Sequence, residues 1–111
     1  MLSRRHRLSG KTASNIFRRG RSMSGMALRI KWVPAKGQVA HATVVAGLAF
    51  DKRATQRNAV KRRLREILRP LLEALRAPYD LMIFVNKSAA TRSFSELRHE
   101  LIALLKKGGL L

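Results

Sequence analysis

Apolar and polar positions follow different periods along this chain, and each period predicts a different element. From Val60 onward the apolar residues recur at helical spacing. A step of about 100° per residue places Val60, Leu64, Ile67, Leu68 and Leu71 on one arc. Asn58, Lys61, Arg62, Arg65 and Arg69 fall on the opposite side, and Arg57 sits near the edge of the apolar arc in the first turn. The pattern predicts a helix running to about residue 76, with Pro70 either kinking it or restarting it and Pro78 ending it. Residues 26–33 alternate instead. Met26, Leu28, Ile30 and Trp32 point one way, and Ala27, Arg29, Lys31 and Val33 the other. Pro34, Lys36 and Gly37 mark a turn, and residues 41–50 read as the next strand. Val44, Ala46, Leu48 and Phe50 share one face of it. The small residues Thr43, Val45, Gly47 and Ala49 share the other, as the floor of a groove for a polynucleotide backbone or as a surface packed under a helix.

The ends of the chain follow the same logic. Ser9 is a plausible N-cap for a short helix near 10–19, with Ala13, Ile16 and Phe17 as its apolar side and Gly20 as its C′ residue. Residues 1–7 form a basic arm, and a short extra strand fits near 21–24. Residues 81–85 are a continuous apolar run of strand length, which predicts a buried central strand. Ser93-Phe94-Ser95-Glu96 is a capping-box pattern. It opens a last helix near 94–107 with Leu97, Leu101, Leu104 and Leu105 inward, stopped by Gly108-Gly109. The order is α-β-β(-β)-α-β-α. That predicts one α+β domain over residues 1–111, a small mixed sheet with helices packed on it.

Charge narrows the class. The chain carries 24 Lys and Arg against six Asp and Glu, a formal net charge of +18 over 111 residues. Such an excess weakens a compact monomer by self-repulsion and points to a phosphate-bearing partner. The basic helix that runs to about residue 76 sharpens the point. Lys61, Arg65 and Arg69 form an i, i+4 ladder of like charges, which costs stability where a Glu–Lys ladder would add to it. Arg outnumbers Lys, and its planar fork suits phosphate and base stacking.

Most enzyme chemistry is unsupported by the residues present. There are no cysteines, which excludes disulfides, thiolate metal sites and a cysteine nucleophile. The six acids are too few and too dispersed for a catalytic pair or a two-metal site, and no Gly-rich phosphate loop exists. His6, His41 and His99 lack metal-ligand spacing and read as surface or boundary residues. No apolar run is long enough to span a bilayer, and no apolar signal segment opens the chain, so a cytoplasmic RNA-binding protein is expected.

The run Gly47-Leu48-Ala49-Phe50-Asp51-Lys52-Arg53, followed by Arg57-Asn58, Lys61-Arg62 and Arg65-Glu66, resembles the signature of the bacterial ribonuclease P protein subunit. Arg7-Leu8 with Ile16-Phe17-Arg18-Arg19-Gly20 is similar to that family's opening helix, and Pro78-Tyr79-Asp80 to its fourth strand. The resemblance implies an α+β fold with a left-handed crossover around the basic helix, like the second domain of ribosomal protein S5. It implies a 1:1 partnership with the catalytic RNA of ribonuclease P, through Lys52, Arg53, Arg57, Asn58, Lys61, Arg62 and Arg65. It implies a groove for the 5′ leader of precursor tRNA, lined by Phe17, Arg29 and Lys31. The implied reaction is Mg2+-dependent hydrolysis that frees the mature tRNA 5′ end. The magnesium is held mainly by RNA, and no residue of the protein is catalytic. Three departures stand out: Ala59 where the family has a third cation, a loop before Arg57 about three residues shorter than usual, and Lys31 rather than an aromatic facing the groove. Trp32, beside it, reads as core, and a one-residue slip of register would exchange the two.

Two rival readings share the same basicity. One is a structural RNA-binder such as a ribosomal protein. The other is a membrane-active cationic protein without a packed core, against which the buried-type strand at 81–85 argues.

Overall fold

The computed structural model of the chain describes residues 10–111, without the side chain of Thr12. The basic arm, His6, Arg7-Leu8 and the proposed cap Ser9 lie outside the described residues. The elements are helix α1 (Gly10–Arg19), strands β1 (Arg21–Ser24), β2 (Leu28–Pro34) and β3 (His41–Val45), helix α2 (Ala54–Ala74), strand β4 (Tyr79–Val85), a short 3-10 turn (Lys87–Thr91) and helix α3 (Phe94–Lys107). The four strands form one sheet in the order β1-β2-β4-β3. β1 and β2 are an antiparallel hairpin, β2 pairs antiparallel with β4, and β3 pairs parallel with β4. The parallel pair requires a crossover, and α2 supplies it.

The pleat sorts side chains between two unlike faces. Leu28, Ile30 and Trp32 of β2, Ala42 and Val44 of β3, and Leu81, Ile83 and Val85 of β4 point into the main core. Val60, Leu64, Ile67, Leu68, Leu71 and Leu72 of α2 and Leu97, Leu101, Leu104 and Leu105 of α3 close it from the same side. The predicted apolar arc of α2 is therefore the buried one. The helix also runs through Pro70 and ends at Ala74, two residues short of expectation. α1 packs on the opposite face of the sheet, against β2 and β4. There Ile16 and Met82 are buried apart from the main core.

Three expectations need correction. Strand β3 ends at Val45, not near Phe50. The chain turns at Gly47, whose carbonyl accepts from the Phe50 amide at 3.0 Å, so Phe50 is buried while Leu48 stays 70% exposed. Gly47 and Ala49 consequently form no strand face. Met26 precedes strand β2 and is exposed. It sits in the hairpin turn, where its carbonyl accepts from Asn86 Nδ2 at 2.7 Å and Ser88 Oγ at 2.8 Å. Gly20 is not left-handed, as a C′ glycine usually is. Its amide closes on the Ile16 carbonyl at 2.8 Å, and a Cβ would stand 2.5 Å from that oxygen.

α3 clamps the β1–β2 hairpin. Ser93 and Glu96 form the predicted capping box. One turn on, the Glu100 carboxylate accepts from the amides of Ala27, at 3.0 and 3.2 Å, and Leu28, at 2.7 Å. Gly25 lies directly beneath, where a Cβ would be 2.7 Å from Glu100 Oε2.

Candidate nucleic-acid interface

The segment joining β3 to α2 is held by its own charges. Asp51 accepts from the Arg53 amide at 2.8 Å, from Arg53 Nε at 3.1 Å and from its Nη2 at 3.0 Å. These bonds, led by the Arg53 side chain, hold the Asp51 carboxyl down to about 2. Arg57 reaches back one turn, and its Nη1 donates to the carbonyls of Asp51 at 3.0 Å and Lys52 at 2.8 Å. The loop before α2 is thus closed by Arg57 itself. Arg53 is the N-cap residue of α2 but gives no side-chain cap, leaving the first turn's amides to other partners.

Beyond that turn the solvent face of α2 is uncompensated. Asn58, Lys61, Arg62 and Arg65 make no ion pair or side-chain hydrogen bond among the described residues; Asn58 and Arg62 are exposed, and Lys61 and Arg65 are half-buried. Lys52 is exposed too. The two ends of the cationic stripe differ from its middle. Arg53 is tied to Asp51, and Arg69 to Glu66 at 2.7 Å. The expected ladder is therefore bare at Lys61 and Arg65 and paired at Arg69. Arg63, which the sequence reading did not single out, is exposed on the other flank of the helix.

The second candidate surface is the open face of the sheet beside α1. Two cross-strand rows form it: Ser24–Arg29–Phe84–Val45 and Ser22–Lys31–Met82–Thr43. α1 adds Phe17, which is 53% exposed. Its ring meets Phe84 edge-on, with centroids 5.4 Å apart. The Arg29 guanidinium lies 4.7 Å from the Phe84 centroid, and Lys31 Nζ lies 5.3 Å from that of Phe17. Phe17, Arg29 and Lys31 are thus brought together, on the face where the register places them. Trp32 turns to the core, 5% exposed and packed against Gly108. The aromatic missing at Lys31 is supplied from the neighbouring strand by Phe84, which sequence reasoning passed over as one more letter of a buried run. A cavity of about 260 Å³ deepens this end, between Arg29, Phe84 and Asn86.

The two surfaces lie on opposite sides of the sheet, because α2 covers the core face and α1 the open one. They approach at one end. Val45, level with Phe84, leads straight into the loop bearing Lys52 and Arg53.

The acids offer no reaction centre. Asp51, Asp80, Glu66, Glu96 and Glu100 are engaged by Arg53, His41, Arg69, the Ser93 cap and two backbone amides, and Glu73 also has a partner. Among the described residues no three His, Asp or Glu side chains come close enough to hold a metal ion. No described helix is long and apolar enough to cross a membrane. A cavity of about 660 Å³ lies between α3 and the hairpin turn. Its two carboxylates are those committed to the cap and the hairpin amides.

Known proteins share both the sequence and the fold. A family profile described as Ribonuclease P matches residues 2–109. The ribonuclease P protein component of a Synechococcus species is 36% identical over 116 positions, covering 100% of this chain and 87% of that one. That of Thermus scotoductus is 36% identical over 108 positions, and the match spans 94% of this chain and 60% of that relative. The solved RNase P protein of Staphylococcus aureus superposes with a TM-score of 0.84 over 95% of this chain and 96% of that one, at 16% identity, which speaks to the fold alone. A strand order, a basic crossover helix and a sequence match over almost every residue lead to one assignment: the chain belongs to the ribonuclease P protein family.

Proposed function

We propose that this ribonuclease P protein binds the catalytic RNA of the enzyme through the solvent face of α2, and the 5′ leader of precursor tRNA on the open face of its sheet. The observation that carries the reading is the unneutralised set Lys61, Arg62 and Arg65 on a helix whose opposite side is fully buried. A monomer gains nothing from that set, and a folded RNA neutralises it. Asn58 adds an amide that can donate and accept, and Lys52 extends the field around the helix start. Arg57 contributes by closing the loop, which fixes where Lys52 and Asn58 stand.

The leader surface works by different physics. Phe17 offers a base a ring to stack on, while Arg29 and Lys31 stand over the two rings with their charges available to the sugar–phosphate chain. Neither contact reads sequence strongly.

The reaction is Mg2+-dependent hydrolysis of the phosphodiester that joins leader to tRNA, in a 1:1 complex with the RNA. On this reading the metal is held by RNA, and the protein supplies cations and position. The alternative of a structural ribosomal protein gains no support from the comparisons.

The test is reconstitution with ribonuclease P RNA at limiting Mg2+. Addition of the protein is expected to raise the rate of leader removal from a precursor tRNA. A rate that stays at the level of RNA alone sinks the proposal.

A further inference from the structure

The open face has a third row, beyond the two that carry the aromatic and cationic groups. It runs Val33–Asp80–His41. Asp80 is buried, with its side chain only 10% exposed, and His41 on the edge strand is 35% exposed. His41 Nδ1 and Asp80 Oδ1 are 2.8 Å apart. A carboxylate in that position fixes the ring and its tautomer, with Nδ1–H donating. The other nitrogen, Nε2, then sits on the side of the ring away from Asp80.

The charge of this corner depends on the imidazole proton. With His41 neutral, the pair carries the single negative charge of Asp80 and Nε2 has no hydrogen to give. With His41 protonated, the pair is neutral overall and Nε2–H becomes a donor. Both changes favour a nearby phosphate. The row lies one pleat repeat, about 6.8 Å, beyond the Lys31 row, so a strand following the open face meets it next.

We propose that His41, oriented by Asp80, is a further phosphate contact for the single-stranded leader, made when the imidazole is protonated. The inference rests on the leader surface described above. The other charged groups on the elements of this side of the sheet are Arg29 and Lys31 on the open face of β2 and, on the packed helix α1, Lys11, Arg18 and Arg19. Lysine and arginine keep their protons across the range in which imidazole titrates, so they add a constant field.

The experiment measures binding of a short unstructured oligoribonucleotide to the full chain, at about pH 5.5 and about pH 8, in wild type, His41→Gln, Asp80→Asn and Phe17→Ala. Wild type is expected to bind about three- to tenfold tighter at the lower pH, the scale of one net hydrogen bond. His41→Gln removes that difference, while His6→Gln and His99→Gln keep it. Asp80→Asn tightens binding at the higher pH, because it deletes the negative charge. Wild-type pH dependence in His41→Gln overturns the proposal. If Phe17→Ala leaves affinity unchanged while His41→Gln still abolishes the pH effect, the leader surface is misplaced but the histidine contact stands. Should His41→Gln fail to fold, the wild-type imidazole resonance of His41 decides. RNA is expected to shift it at the lower pH only, and indifference to RNA at both pH values refutes the contact.

Discussion

Arg57 and Arg65 look alike in the sequence and do different things in the fold. Arg57 Nη1 is spent on the carbonyls of Asp51 and Lys52, whereas Arg65 has no partner among the described residues. Arg65→Ala is therefore expected to cost RNA affinity by ~1–3 kcal/mol with no loss of melting temperature. Arg57→Ala should lower both, losing ~1 kcal/mol of stability with the loop bonds, and Arg57→Lys should restore neither fully because one ammonium cannot reproduce the fork. Parallel melting and binding measurements on the three variants check this, and equal melting losses for Arg57→Ala and Arg65→Ala contradict it. Residue roles of this kind were only half legible. Periodicity placed Arg65 on the solvent face, but the fold-back of Arg57 depends on a turn at Gly47 that no spacing rule specifies. Phe84 was missed for a related reason. Apolar letters on a central strand do not reveal that one side of the sheet is only partly covered by a thin helix.

Among the elements, the two long helices were readable because their signals are local and redundant. The α2 arc and the Ser93–Glu96 box each repeat information over several residues. Leu64, fully buried, is the sharpest probe of the first: Leu64→Ala should destabilise the fold by ~2–5 kcal/mol, measured by denaturant unfolding, and a loss below 1 kcal/mol on the same scale places it outside the core. The box also has a pH signature. Bonding to the Ser93 amide and hydroxyl holds the Glu96 carboxyl below its ordinary value of 4.5. A carboxyl depressed in the fold stabilises above its unfolded pKa, and the benefit fades as pH falls through the folded value. Glu96→Gln should thus flatten the acid limb of stability below about pH 4.5, and an unaltered limb argues that the box is not formed. Strand β3 was read too long because alternation continues through Leu48 and Phe50 in the sequence. Backbone geometry ended it: the Gly47 turn buries Phe50 and releases Leu48, an outcome that alternation cannot distinguish from a straight strand.

At the scale of the molecule, the net charge of +18 was the earliest and firmest signal, and it outlasts the details. Among the described residues few cations are paired with a carboxylate, so the free protein works against its own field. Its melting temperature should rise with added phosphate or sulfate at low ionic strength, and a flat response would mean that repulsion is not limiting. What the charge could not reveal was its division. The sheet separates a cationic helix on one side from an aromatic, cationic groove on the other. That separation comes from the α2 crossover covering one face while α1 covers part of the second.

The salt dependence of binding to ribonuclease P RNA, compared between wild type and the Lys61→Ala, Arg62→Ala, Arg65→Ala triple variant, tests the central claim most directly. Log affinity against log salt should lose roughly 0.7–0.9 of slope for each phosphate contact removed, with affinity falling at every salt concentration. An unchanged slope and affinity in the triple variant, with its fold intact, would show that RNA docks elsewhere on the molecule.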